Sequence, residues 1–202
     1  MRIGAFGGTF NPIHLAHIHA ANECMRHLAL DKMLIIPTSA PPHKEAPELA
    51  WAHHRLAMCR LAIADEPGFA VCDYETERGG ISYTCDTLRY LRGEHPGSDI
   101  CLIMGADMFM TIQNWREPEE IFRLALLCAC TREEGEYRKM LGHKTVLEAM
   151  GARCEIVGMK PLPMSSTEIR RRIKEGADIS GYLHPRVWGY ILEHGLYGGN
   201  TV

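Results

Sequence analysis

The chain has 202 residues, enough to bury one sizeable core without disulfide or metal staples. A hydrophobic fraction of 46% and a charged fraction of 23% are those of an ordinary globular protein, and a net charge of -3 excludes the global basic field of a nucleic-acid binder. Eight scattered cysteines without a C-x-x-C, no secretory pattern and no apolar run near the roughly 18–20 residues of a membrane span point to reduced thiols in a cytoplasmic protein that meets neither membrane nor nucleic acid.

Strands are expected at Arg2–Phe6, Lys32–Pro37, Phe69–Asp73, Asp99–Met104, Ala125–Thr131 and Arg153–Val157. Helical patterns lie between them at His14–Leu28, Trp51–Ala64, Tyr83–Arg92 and Glu136–Met150. Two more, Thr167–Lys174 and Pro185–Glu193, follow the last strand. The alternation predicts an α/β fold, a doubly wound parallel sheet of five to six strands with C-terminal helices. Two stretches interrupt it. Ser39–Pro47 carries three prolines, which remove donors and fix φ, and Glu75–Ser82 with Gly79-Gly80 reads as a second loop. Both follow strand ends, the edge at which open α/β sheets bind ligands.

The first strand leads into Gly7-Gly8-Thr9-Phe10-Asn11-Pro12-Ile13-His14-Leu15-Ala16-His17. Two glycines let the backbone turn and approach a ligand closely, Asn11 suits an N-cap, and Pro12 would then open the helix. The free amides of such a helix start attract anions, and His14 and His17, three residues apart, would share the face that meets them. A lone pair of helical histidines is more often surface decoration; the Gly-Gly turn after a leading strand favours phosphate binding here. Ser165-Ser166-Thr167-Glu168-Ile169-Arg170 has capping-box spacing, so it marks either an ordinary capped helix or a second phosphate site with Ser166, Thr167 and Arg170 as donors. Asp107, in the Gly105-Ala106-Asp107 run after the strand that ends at Met104, can cap the next helix or accept hydrogen bonds from a ribose. Trp115 is either partly buried core or a platform for a flat heterocycle.

Taken together, these runs resemble the nucleotidyltransferase superfamily of Rossmann-like fold, whose T/H-x-G-H signature GGTFNPIHLAH closely matches. Across its full length the chain is similar to the bacterial nicotinate-nucleotide adenylyltransferase family. Pro41-Pro42-His43-Lys44, Ser82-Tyr83-Thr84, Gly105-Ala106-Asp107, Trp115, SSTEIR and His194-Gly195-Leu196-Tyr197 fall in that family's order. Two departures are Ala16 in place of the usual glycine between the histidines and Met164 before SST.

The resemblance implies one domain over residues 1–202, with helices 165–197 completing an ATP site. It implies His14, His17 and Arg170 as catalytic groups. Gly7, Gly8, Thr9, Phe10, Gly105, Asp107, Ser165, Ser166 and Thr167 would bind ATP, and Ser39, Lys44, Thr84, Trp115 and Arg132 nicotinate mononucleotide. Mg²⁺ would be held mainly by ATP phosphates, with no protein metal site. The oligomeric state stays open, a homodimer being one option. Rival readings are a phosphopantetheine adenylyltransferase or cytidylyltransferase, a metallohydrolase built on His14, His17 and His19, and a non-catalytic nucleotide sensor. The second is disfavoured because His19 would lie roughly 140° round the helix from His14.

Overall fold

In the computed structural model, which describes residues 1–40, 49–131, 134–160 and 162–198, the strands form one parallel sheet. They are β1 (Arg2–Gly8), β2 (Lys32–Pro37), β3 (Phe69–Val71), β4 (Asp99–Gly105), β5 (Leu126–Thr131) and β6 (Arg153–Gly158). Their order is β3-β2-β1-β4-β5-β6. The chain therefore starts mid-sheet, builds outward to β3, and returns beside β1 to build the other half. The reversal falls between β1 and β4, the topological switch point where such sheets open a crevice.

Each strand is covered on both faces, which is why it reads as a continuous apolar run rather than an alternating one. Ile3, Ala5, Leu34, Ile36, Ile100, Leu102, Met104, Leu127 and Ala129 point to one side. There they meet α4 (Thr84–Glu94), α5 (Ala106–Phe109), α6 (Pro118–Leu124) and α7 (Glu134–Ala149) through residues such as Leu88, Phe109, Phe122 and Leu147. The intervening residues Met33, Ile35, Cys101, Ile103 and Cys128 point to the other side. They pack on α1 (Leu15–His27), α2 (Ala52–Ala62), α8 (Ser166–Lys174) and α9 (Pro185–Glu193). Gly4 belongs to this second face, and a Cβ there would stand 2.8 Å from both Leu30 Cδ1 and Met33 Sδ, so those side chains would have to shift to admit one. Fully burying each leucine, isoleucine or methionine among them stabilises the fold by roughly 1.5–3 kcal/mol.

The expected elements are present with shifted ends, and one expected loop is partly helical. Tyr74–Arg78 forms α3, started by Thr76 Oγ1 donating to the Asp73 carbonyl (2.8 Å) and anchored by the buried Glu75. The loop proper begins at Gly79 and Gly80, whose φ values of 69° and 70° fit glycine. Trp115 follows a 3₁₀ turn, Ile112–Asn114. Among the described residues no helix is long and apolar enough to cross a membrane.

Candidate active site

β1 continues through Gly8, and α1 does not start until Leu15, so Thr9–His14 makes the turn. Asn11 is not the N-cap, and Pro12 is not the first helical residue. The Asn11 side-chain oxygen is occupied elsewhere, accepting from Ala50 N (3.1 Å) and Tyr197 Oη (2.7 Å). His14 takes the N-cap place, with extended φ −142° and ψ 170°. The sharp bend comes at Phe10, whose φ is 46°, rather than at the glycines. Gly8 is required because the Phe10 ring folds back onto it; a Cβ would meet that ring at 2.8 Å.

His14 and His17 are brought together as expected, in a specific way. Their rings stack with centroids 3.6 Å apart and planes 23° apart. The His14 backbone N–H donates to His17 Nδ1 (3.2 Å), so the ring proton of His17 sits on Nε2. In this hydrogen bond Nδ1 is the acceptor, which leaves Nε2 as the ring nitrogen that can donate. Phe10, 3% exposed, packs edge-on against His17 (5.1 Å) and Phe6 (5.6 Å), fixing the ring from behind. His14 is buried behind its partner, and His17 faces the cavity. The Leu15 amide at the helix start is already donated to the Tyr182 carbonyl (3.0 Å).

That cavity measures ≈ 350 Å³ and lies at the C-terminal ends of β1 and β4. Its lining includes Ala16, His17, Gly105, Asp107, Cys130 and Glu136. Gly105 is the N-cap of α5 and Asp107 its second residue, so Asp107 does not cap the helix; its carboxylate is exposed on the cavity wall. Ala16 places its methyl on the same wall, where glycine would leave more room. His19 also lines the cavity and bonds the Lys160 carbonyl (3.0 Å), whereas the helical angle had placed it on a different face. Among the described residues no three His, Cys, Asp or Glu side chains are grouped to hold a metal ion.

The SSTEIR run starts α8 as its spacing predicts, with Ser165 Oγ accepting from Glu168 N (3.2 Å). The Glu168 carboxylate pairs with Arg171 and Arg172, which lower its pKa to about 2. Ser166 Oγ donates to the Pro12 carbonyl (2.9 Å) and Arg170 Nη1 to the Asn11 carbonyl (2.8 Å). Both motifs are thereby stitched into one unit, and the Ser166 proton is committed to that stitch. Thr167 is exposed. Arg170 lines a second cavity of ≈ 220 Å³, with Lys174 and Tyr197, rather than the one holding His17.

The expected acceptor residues are more dispersed. Lys44 and Arg132 lie outside the described residues. Ser39 donates its amide to Ser82 Oγ (3.1 Å), and Ala40 pairs with Ile81, tying the loop after β2 to the entry of α4. Thr84 is the first residue of α4. Trp115 is half-buried against the hydrophobic core, outside the lining of either cavity. Its neighbour Arg116 lies over the Tyr83 ring at 4.5 Å, which ties the Trp115 loop to the same α4 entry.

Two buried charged residues went unnoticed in the sequence. Arg55 is 0% exposed and donates to the carbonyls of Ala50, Thr9 and Ser39. Its signal was its place on the apolar face of α2, in phase with the buried Met58, Cys59 and Ala62. Glu75 accepts from Thr87 Oγ1 (2.6 Å), and burial raises its pKa against the lowering effect of hydrogen bonds from Thr87 and Ser82. Nothing in its local sequence marked it.

A family model described as cytidylyltransferase-like matches residues 5–172. A protein of Citrifermentans bemidjiense named "Probable nicotinate-nucleotide adenylyltransferase" is 39% identical, covering 98% of each chain. The chain belongs to the nicotinate-nucleotide adenylyltransferase family, within the cytidylyltransferase-like group. A relative of the same name in Lachnoclostridium phytofermentans is 34% identical over 97% of this chain and 98% of its own. The fold matches that of the Plasmodium falciparum nicotinic acid mononucleotide adenylyltransferase complexed with NaAD, with a TM-score of 0.80 at 21% identity over 100% and 99% of the two chains. As a member of this family the chain is a nucleotidyltransferase, in a step of NAD biosynthesis.

Proposed function

We propose that this chain joins ATP and nicotinate mononucleotide into nicotinate adenine dinucleotide and pyrophosphate, with His17 as the donor that meets the reacting phosphates. The observation that carries the site assignment is His17 itself. Its ring is held from behind by Phe10 and by the His14 backbone, with its proton on Nε2, in a cavity bounded by Gly105 and Asp107. The reading is supported by the names of the relatives and by the Plasmodium falciparum enzyme, solved with NaAD and with APC.

A phosphate oxygen of the mononucleotide attacks the α-phosphorus of ATP, and the bond to the bridging oxygen of the leaving pyrophosphate breaks in line. The nucleophile is already anionic, so no general base is required. The protein's task is to align the two phosphates and stabilise charge on the α-phosphate and the leaving group. His17 donates from Nε2, and His14 holds it in that tautomer. Arg170, with Ser165, Ser166 and Thr167 around the start of α8, is assigned to the far end of the triphosphate, since Arg170 lines the second cavity and is tied to the His17 turn through the Asn11 carbonyl; Gly7, Gly8, Thr9 and Phe10 shape the near side. Asp107 accepts from the ATP ribose. Thr84 and Trp115 take the pyridine ring and its ribose, Ser39 lies beside them, and Lys44 and Arg132 complete the acceptor side.

Mg²⁺ carried by the triphosphate would be held mainly by phosphate oxygens, with Glu136 a carboxylate on the same wall. Bound there, it would neutralise charge on the phosphates. The C-terminal helices belong to the same functional unit through the stitches of Ser166 and Arg170.

The test is pyrophosphate release from ATP and Mg²⁺ with nicotinate mononucleotide, nicotinamide mononucleotide or phosphopantetheine as acceptor. Release with nicotinate mononucleotide is expected. Release only with phosphopantetheine, or with none of the three, overturns the reading.

A further inference from the structure

The fully buried guanidinium of Arg55 has no part in the chemistry above. Three of its N–H groups reach backbone carbonyls in three segments: Nε to Ala50 (3.0 Å), Nη1 to Thr9 (2.8 Å) and Nη2 to Ser39 (2.7 Å). Thr9 belongs to the turn after β1, which mounts His14 and His17. Ser39 belongs to the loop after β2, on the acceptor side. Ala50 leads into α2, and its own amide returns to Asn11 Oδ1 (3.1 Å), beside the carbonyl that Arg170 grips.

Burying a cation is costly, and an apolar residue of similar size often stabilises a core as well or better. Burial accordingly lowers the Arg55 pKa. What an apolar residue cannot do is fix three carbonyls at set angles, and the rigid planar fork of arginine can. The pairing of β1 with β2 reaches Gly8 and Pro37, with Thr38 N donating to the Gly8 carbonyl (2.9 Å), and the fork carries that tie beyond the strand ends to Thr9 and Ser39. A shift of about 1 Å between bound reactants is enough to cost orders of magnitude in rate, so their relative placement is worth an expensive residue.

We propose that Arg55 is a positioning residue that locks the ATP-side turn and the acceptor-side loop in one register, so that both nucleotides depend on it. The proposal rests on the functional reading above. Arg55 touches neither substrate and acts through the carbonyls of Thr9 and Ser39.

The experiment compares wild type with Arg55→Lys and Arg55→Gln, measuring KM for ATP and for nicotinate mononucleotide separately, alongside Tm. Lysine keeps the charge but cannot span the three carbonyls; glutamine keeps one amide donor group and loses the charge. In each folded variant both KM values are expected to rise together by about tenfold or more, as the loss of charge-assisted hydrogen bonds implies. A lowered Tm with both KM values at wild type would make Arg55 merely structural and overturn the proposal. So would a rise in only one KM, or restoration of both values by lysine. Loss of the folded state in both variants would overturn it too, because Arg55 would then be a determinant of the fold. Wild-type protein that releases no pyrophosphate sinks the functional reading instead. The Arg55 proposal is then judged from the dissociation constants of ATP and of the mononucleotide by calorimetry, which should rise together.

Discussion

The two sides proposed for this site, one for ATP and one for the acceptor, are built in different ways. The ATP side comes from two short continuous runs, residues 7–17 and 165–170, each a turn that opens a helix. They are fastened to each other by Ser166 on the Pro12 carbonyl and Arg170 on the Asn11 carbonyl. The proposed acceptor side is gathered from separate segments: Ser39 after β2, Thr84 at the start of α4, and Trp115 after a 3₁₀ turn. Its ties run between separate segments: Ser39 to Ser82, Ala40 to Ile81, Arg55 to the Ser39 carbonyl, and Arg116 over Tyr83. A phosphate needs a few donors at one point, which a local turn supplies. A ring with its ribose needs a surface, which must be assembled from distant parts of the chain.

The largest expected effect tests the first half of that contrast. His17→Ala removes the donor whose place the turn exists to set. Losing one such group costs on the order of 3 kcal/mol in the barrier, so kcat is expected to fall by about two orders of magnitude, with Tm near wild type. Because the proposed role is donation from Nε2, His17→Gln, which keeps an N–H, is expected to recover part of the loss. Near-normal turnover in His17→Ala would remove the residue from the mechanism. The next effect belongs to the other half. Trp115→Ala is expected to raise KM for the mononucleotide about tenfold, in line with the roughly 1–3 kcal/mol that stacking a base on an aromatic ring contributes. KM for ATP should hardly move. Equal rises in both would mean that Trp115 supports the fold and not the ring.

What could be read in the sequence follows the same division. The sheet was legible because two covered faces turn every strand into an unbroken apolar run, and the helices between them kept a helical period. The turn at 7–17 and the helix start at 165–170 were legible because each is contiguous and each uses residues with strong local preferences. Even there, details escaped. Asn11 looked like a cap, but its oxygen is claimed by Ala50 and Tyr197, the latter almost the whole chain away. His19 looked remote by helical angle, yet the wall curves round to include it. Arg55 and Glu75 were hidden because a buried charge is defined by carbonyls and hydroxyls from other segments. The grouping of Trp115 with Thr84 came from family resemblance, for no local pattern joins residues 31 positions apart.

Smaller effects probe the scaffolding beneath both sides. Ser165→Ala removes the cap of α8 and is expected to lower stability by about 1 kcal/mol in chemical denaturation. With Arg170 on that helix, ATP binding should weaken more than acceptor binding. An unchanged denaturation midpoint would show that the stitches to Pro12 and Asn11 hold the helix start without the cap.

The smallest effect is one of pH. Burial holds the Glu75 pKa above its ordinary 4.5, outweighing the hydrogen bonds from Thr87 and Ser82. Between 4.5 and that raised value the native protein retains a proton that the unfolded chain has released. The native state therefore binds more protons across this window, and the Glu75 contribution to stability falls as pH rises through it. Glu75→Gln keeps an oxygen to accept from Thr87 Oγ1 and removes the titration. The difference in unfolding free energy between Glu75→Gln and wild type should accordingly shift in the variant's favour from pH 4.5 toward neutrality. A constant difference over that range would mean that Glu75 titrates alike in both states. A shift in favour of wild type would mean that the native site stabilises the carboxylate. In that case the α3–α4 junction beneath the acceptor loop would be held by charge rather than by a neutral hydrogen-bonded acid.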